Sequence, residues 1–258
     1  MLNTTFKTTR LALAVLSAFA AAPIVADEGK QWSHQVGVTA FAFALEGDAG
    51  VKGITAEMDY GIGDVFDNLQ GALTMLVQGN NQQFGYWMSY EFVELGDDIK
   101  KTLLPDNEFI GATIKAEADF GTEIIDAGLS YFISDTVELI GGVRAWNVEQ
   151  DFNISISREL TGMTNQISES VDESWIDAFG GVRARIPLGG CWSLNLRGDL
   201  GAGDSDSTYQ ALAMVAFEHD NNWTTSAGVR YLAVDYAKDG FTFDMEMTGF
   251  EVAALYRF

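Results

Sequence analysis

The stretch Cys191–Ala202, CWSLNLRGDLGA, constrains the fold more than any other. Its even positions, Trp192, Leu194, Leu196, Gly198, Leu200 and Ala202, are apolar or small. Its odd positions, Cys191, Ser193, Asn195, Arg197, Asp199 and Gly201, are mostly polar and include two charges. Period-two alternation marks a strand with two unlike faces. A helix would scatter the leucines, and two glycines would weaken it. Ser174–Ile186 repeats the pattern. Ile176, Ala178, Gly180, Val182, Ala184 and Ile186 share one face, and Trp175, Asp177, Phe179, Arg183 and Arg185 share the other. Between the two, PLGG reads as a tight turn, because proline lacks a donor and glycine accepts unusual dihedrals.

Further strands are expected near 33–46, 70–79, 83–95, 119–133, 137–150, 207–218, 222–236 and 241–258. The segment 207–218 is apolar on both faces and reads less clearly. Short turns fall near 80–82, 134–136, 187–190 and 219–221. Long acidic links fall near 47–69, 96–118 and 151–173, with shorter acidic ones near 203–206 and 237–240. Short and long alternate along the chain. A strand at 51–60 with a partner near 107–118 would raise the count from ten to twelve, and merging weak strands would lower it to eight. GDVFDNLQ (63–70) reads as a short helix in or over a barrel mouth.

The first 26 residues read as a cleaved secretory signal peptide: a basic start with Lys7 and Arg10, an apolar run Leu11–Ala22, then small residues. The cut is placed after Ala26, with Ala22 or Ala20 as alternatives, leaving 27–258 as one domain. No later stretch is long and apolar enough for a spanning helix, although 47% of residues are hydrophobic. A membrane crossing must then use strands closed into a barrel. Cys191 is the only cysteine, which excludes an internal disulfide. It is expected to be a small filler facing the lumen.

Removing the two basic residues of the leader from 15 leaves 13 against 37 acidic ones. That balance speaks against nucleic acid, which basic side chains recognise. The expected fold is all-β: a closed antiparallel up-and-down transmembrane barrel, ten strands, with short periplasmic turns and longer outer loops. The apolar face, rich in Ala, Gly and Val, would meet lipid. Aromatics recur at strand ends: Trp192, Tyr209, Phe217, Trp223, Tyr231, Phe250, Tyr256 and Phe258.

The ending ALYRF, with Tyr256 and Phe258, resembles the C-terminal insertion signal of bacterial outer-membrane β-barrel proteins. WSLNLRGDLGAG, AGVRYLAVDY and DGFTFDMEMTGFEVAALYRF are similar to a group of small outer-membrane barrel proteins without an assigned activity, with an architecture resembling the OmpA and OmpW barrels. No peptidoglycan-binding domain follows the barrel, so the resemblance does not extend to wall anchoring. It implies export through the periplasm to the outer membrane of a Gram-negative bacterium. The implied partners are the barrel assembly machinery, outer-membrane lipids and lipopolysaccharide, and a monomer is expected.

The polar face would then fill the lumen with Glu91, Asp126, Glu138, Arg144, Asp177, Arg183, Arg185, Arg197, Asp199, Arg230, Glu251 and Arg257. Buried charges are tolerable when paired, and arginine suits bidentate pairing. A plugged, structural lumen and a narrow porin-like channel for small solutes or ions are both open readings. Catalysis is not expected. There are two histidines, His34 and His219, both placed at the periplasmic end, with His34 read as solvated. No phosphate loop, Cys–His pair or zinc spacing occurs. The acidic groups Asp48, Glu57, Asp59, Asp64, Asp67, Glu169, Asp172 and Glu173 lack EF-hand spacing, so no metal or cofactor is expected beyond loose cation bridging to lipopolysaccharide.

Overall fold

A computed structural model describes residues 31–51, 54–95, 100–101, 112–158 and 163–258. The proposed signal peptide and most of the 96–111 link lie outside them. Ten antiparallel strands close a ring: β1 (Ser33–Val51), β3 (Leu69–Asn80), β4 (Phe84–Leu95), β6 (Ala112–Phe132), β7 (Val137–Arg158), β8 (Met163–Gly189), β9 (Trp192–Gly203), β10 (Ser207–Glu218), β11 (Trp223–Lys238) and β12 (Phe241–Arg257). β12 closes the ring against β1 in continuous register, from Gln35 opposite Arg257 to Val51 opposite Phe241. Two strands lie off the ring: β2 (Ile54–Tyr60) on β1, and β5 (Lys100–Lys101) on β6. One short helix, α1 (Ile62–Asp67), packs against β1. No helix among the described residues is long and apolar enough to cross a membrane.

Both ends of the described barrel, Ser33 and Phe258, lie at one end, here called proximal, where the Phe258 amide donates to the His34 carbonyl. The turns at 81–83, 133–136, 190–191 and 219–222 lie there too. At the distal end the structure departs from the expected loops. The link 151–173 is mostly strand: β7 continues to Arg158 and β8 begins at Met163, paired as a ribbon. Residues 112–118 likewise belong to β6. The acidic side chains suggested solvated loops, but alternating residues such as Ile154 and Ile156 in the same stretch allow extension. Residues 54–60 are a strand, yet β2 does not enter the ring.

The polarity of the faces changes along the longer strands β1, β7, β8 and β12. In the proximal part, apolar residues point outward: Val36 and Val38 on β1, Val182 and Ile186 on β8, Val229 on β11, Phe250 and Val252 on β12. In the distal part the pattern inverts. On β12, Phe241, Phe243, Met245 and Met247 are buried inside, while Asp244 and Glu246 are exposed outside. On β1, Phe43 and Leu45 are buried while Glu46 and Asp48 are exposed. On β7 and β8, Trp146 and Trp175 turn inward. The outward apolar surface is therefore a band with an aromatic rim. Ring pairs Trp192–Phe217 (4.8 Å), Trp223–Tyr256 (5.3 Å) and Phe84–Tyr131 (5.5 Å) sit at its proximal edge. A band of this kind suits lipid. The distal part has the polarity of a water-soluble domain.

The wall contains one seam. β1 pairs with β3 only over Ser33–Thr39 and with β2 only over Leu45–Val51. Residues 40–44 thus have a ladder on the β12 side alone. The facing residues Leu69–Leu73 pair only with β4, across an irregularity between Leu69 and Gly71. α1 lies against β1 and β2, with Val65 buried in the distal core and Phe66 exposed. An open backbone edge is costly in hydrocarbon, and a helix, whose interior bonds are its own, is a suitable cover.

Candidate functional site: the lumen

The lumen has two layers. The distal layer is a hydrophobic core. Trp175 stacks on Tyr236 at 4.1 Å and on Trp146 at 5.6 Å between ring centroids. Phe243 packs against Trp146, Trp175 and Phe120. Leu45, Leu95, Val148, Leu232 and Met245 fill the remainder, each almost wholly buried. Large side chains of this type contribute on the order of 2–3 kcal/mol each when buried. Interiors of this kind pack as densely as organic crystals.

The proximal layer is polar and holds two ion-pair groups. In the first, Arg144 is fully buried and donates to Asp126 (Nη2–Oδ2 2.9 Å), Asp199 (2.9 Å), Thr208 (2.9 Å) and Gln210 (2.7 Å). Arg197 donates to Asp199 (2.6 Å) and Asp126 (3.0 Å). The Trp87 indole N–H donates to the other Asp126 oxygen at 2.6 Å. In the second, Arg230 donates to Glu91 at 2.7 Å, with Glu251 3.6 Å away. Its guanidinium lies over Phe41 at 4.9 Å. Alternation turns these side chains inward, and cross-strand register brings them together: Ser89, Asp126, Arg144 and Asp177 are consecutive partners across β4, β6, β7 and β8.

The remaining charged residues stand apart from these groups. Asp177 is fully buried and accepts the Ser205 amide at 2.9 Å rather than an arginine. Arg185 and Arg257 lie at the proximal rim and both reach Glu218, Arg257 at 3.4 Å. Arg183 approaches Glu138 only to 4.0 Å. Sequence reasoning missed the uncharged members Thr208, Gln210 and Trp87, and it missed Glu218. Polar residues on alternating inward positions beside arginines were the available signal.

Two expectations are corrected. Cys191 is exposed in the proximal turn, not a lumen filler. Gly189 and Gly190, both with positive φ, break the alternation just before it. His34 is not simply solvated. Its Nδ1 lies 2.8 Å from the Tyr86 hydroxyl, and its ring stacks on Trp32 and Phe258. His219 pairs with Thr225 at 2.9 Å in its turn.

Below the ion pairs, the polar layer encloses a cavity of about 720 Å³. Its roof includes Glu91, Arg230 and Glu251, and it reaches the proximal rim at Asn80, Gln82 and Asp135. The proximal lumen is thus a vestibule that opens at the proximal rim.

Outside the barrel at the distal end, acidic residues face one another. Asp48 and Asp235 flank Asp244 on neighbouring strands, and Glu57 lies opposite Asp48. Glu46 likewise lies between Asp59 and Glu246. These groups lie beyond the apolar band. Partial burial, then Asp235, Asp48 and Glu246, raise the Asp244 pKa above its ordinary value. No group of potential metal ligands occurs among the described residues.

No known family model matches the chain, and no curated protein is a significant relative. Among solved structures, the chain is similar to Ail, the attachment invasion locus protein of Yersinia pestis, at 14% identity and a TM-score of 0.35, covering 89% of this chain and 99% of that one. Neisserial surface protein A aligns at 12% identity and a TM-score of 0.27, over 90% of this chain and 100% of that one. The toluene transporter TodX of P. putida aligns at 10% identity and a TM-score of 0.31, over 90% of each chain. Likeness at this level carries no argument about function, and the ten-stranded closed barrel stands on the chain's own strand pairing.

Proposed function

We propose that the chain is an integral outer-membrane barrel with a structural, envelope-maintaining role, sealed at its outer end and not acting as a channel or an enzyme. The observation that carries this reading is the distal core. Trp146, Trp175, Tyr236 and Phe243 are at most 2% exposed and lie across the lumen where a pore would need water. The apolar band with its aromatic rim supports insertion in a bilayer. The proximal end then faces the periplasm, and the acidic distal end projects among lipopolysaccharide head groups. The continuous β1–β12 closure supports a monomer, because it leaves neither β1 nor β12 an open edge there for a second copy.

Fractionation and a deletion strain test this together. The protein should sediment with outer membranes. Its loss should sensitise cells to detergents and apolar dyes, and the wild-type gene should restore resistance. Recovery of the mature protein as a soluble periplasmic species would refute the reading.

A further inference from the structure

The vestibule contains a charge pair that the structural network leaves unused. Arg183 and Arg197 are directly opposite on β8 and β9, both inward. Like charges in that relation are destabilising. Arg197 is neutralised by Asp126 and Asp199 in hydrogen-bonded pairs, whereas Arg183 has only a looser pair with its β7 partner Glu138. Its guanidinium carbon lies over Trp87, 3.9 Å from the ring centroid. Its nearest carboxylate is Glu138, at 4.0 Å, beyond hydrogen-bonding distance. Neither side chain makes a hydrogen bond to a described residue, although each is only about a fifth exposed, 19% and 18%. Both line the cavity. Trp87 is itself fixed by its bond to Asp126, so the platform beneath Arg183 is rigid.

We infer that the vestibule is a binding site for a small zwitterion, carrying a carboxylate and an ammonium as free amino acids and short peptides do. The carboxylate pairs with the unspent fork of Arg183, whose planar donors suit it. The ammonium pairs with Glu138, toward the rim. A simple anion that draws Arg183 away would leave Glu138 unpaired, and a simple cation on Glu138 would leave Arg183 unpaired, so a ligand with both charges suits both groups. The volume, about 720 Å³, is that of a small-molecule pocket. Cation–π contact holds the guanidinium in place without consuming its N–H groups. This assignment goes beyond the sealed-barrel reading and is read out separately, since binding requires no passage.

Titration calorimetry on the refolded barrel in lipid nanodiscs tests it. The probes are alanyl-alanine, its N-acetyl form and its C-terminal amide. The wild type should bind the dipeptide saturably, and each blocking group should weaken binding about tenfold or more, as loss of a charged hydrogen bond does. In Glu138→Gln, N-acetylation should cease to matter while amidation still does. In Arg183→Gln the reverse should hold. Absence of saturable binding by the wild type at about 10 mM dipeptide, equal affinity for all three probes, or unchanged discrimination in folded variants would each overturn the site. The wild-type comparison needs no variant, so it decides even if a substitution prevents folding.

Discussion

Arg144 is tied down on every side: four partners from β6, β9 and β10 converge on one buried guanidinium. Removing it leaves Asp126 and Asp199 with Arg197 as their remaining cation. Arg144→Ala should therefore destabilise the barrel by about 3–5 kcal/mol, measured by urea unfolding of the refolded protein, without opening the lumen. At the distal surface the sign differs. The Asp244 pKa is raised, chiefly by partial burial and then by Asp235 and Asp48. A raised carboxylate contributes stability that is full below its ordinary value of 3.8 and lost as pH rises through the raised one. Asp244→Asn should thus stabilise at pH 7 by about 0.2–1 kcal/mol and leave stability unchanged below about pH 4. High salt should shrink the gain.

At the scale of elements, β12 shows what alternation reveals and what it hides. Phe250, Val252, Ala254 and Tyr256 against Glu251 read as a two-faced strand, and the proximal half folds that way. Upstream of Gly249 the apolar residues change face, so Phe243, Met245 and Met247 point into the lumen. On β1 the period is legible from Val36, Val38, Ala40, Ala42 and Ala44 on one face, but Phe41–Leu45 is apolar at every position, which conceals the distal core. Gly249 lies at the crossover. A Cβ there would collide with the Ala42 carbonyl oxygen and sit 2.6 Å from the Phe43 Cα. Gly249→Val should reduce the yield of refolded barrel, measured by circular dichroism and heat-dependent mobility, more than Ala254→Val on the lipid side. Ion-pair partners are equally hidden, because Arg230 and Glu91 are 139 residues apart in sequence. The seam is a property of register alone. Amides of residues 40–44 on the side away from β12 should exchange with deuterium faster than those of Val36–Thr39, which are paired on both sides. Equal protection would show the seam to be closed.

At the scale of the whole molecule, the barrel behaves as two stacked solvents' worth of design: a lipid-facing proximal ring around a polar vestibule, and a water-facing distal ring around an oily core. Closure follows from alternation and turn residues, while the choice of ten strands over eight or twelve is settled by register, which keeps β2 off the ring. The proposed sealing of one end rests on the inversion of faces, which only the assembled ring makes visible. The direct measurement is single-channel recording of the refolded barrel in planar bilayers. The wild type should show no conductance steps, and Arg183→Ala with Arg197→Ala should show none either, since the seal is distal. Replacing Trp146, Trp175 and Phe243 by alanine, in protein that still refolds, should produce steps. Steps from the wild type, or steps created by the arginine replacements alone, would contradict the sealed distal core.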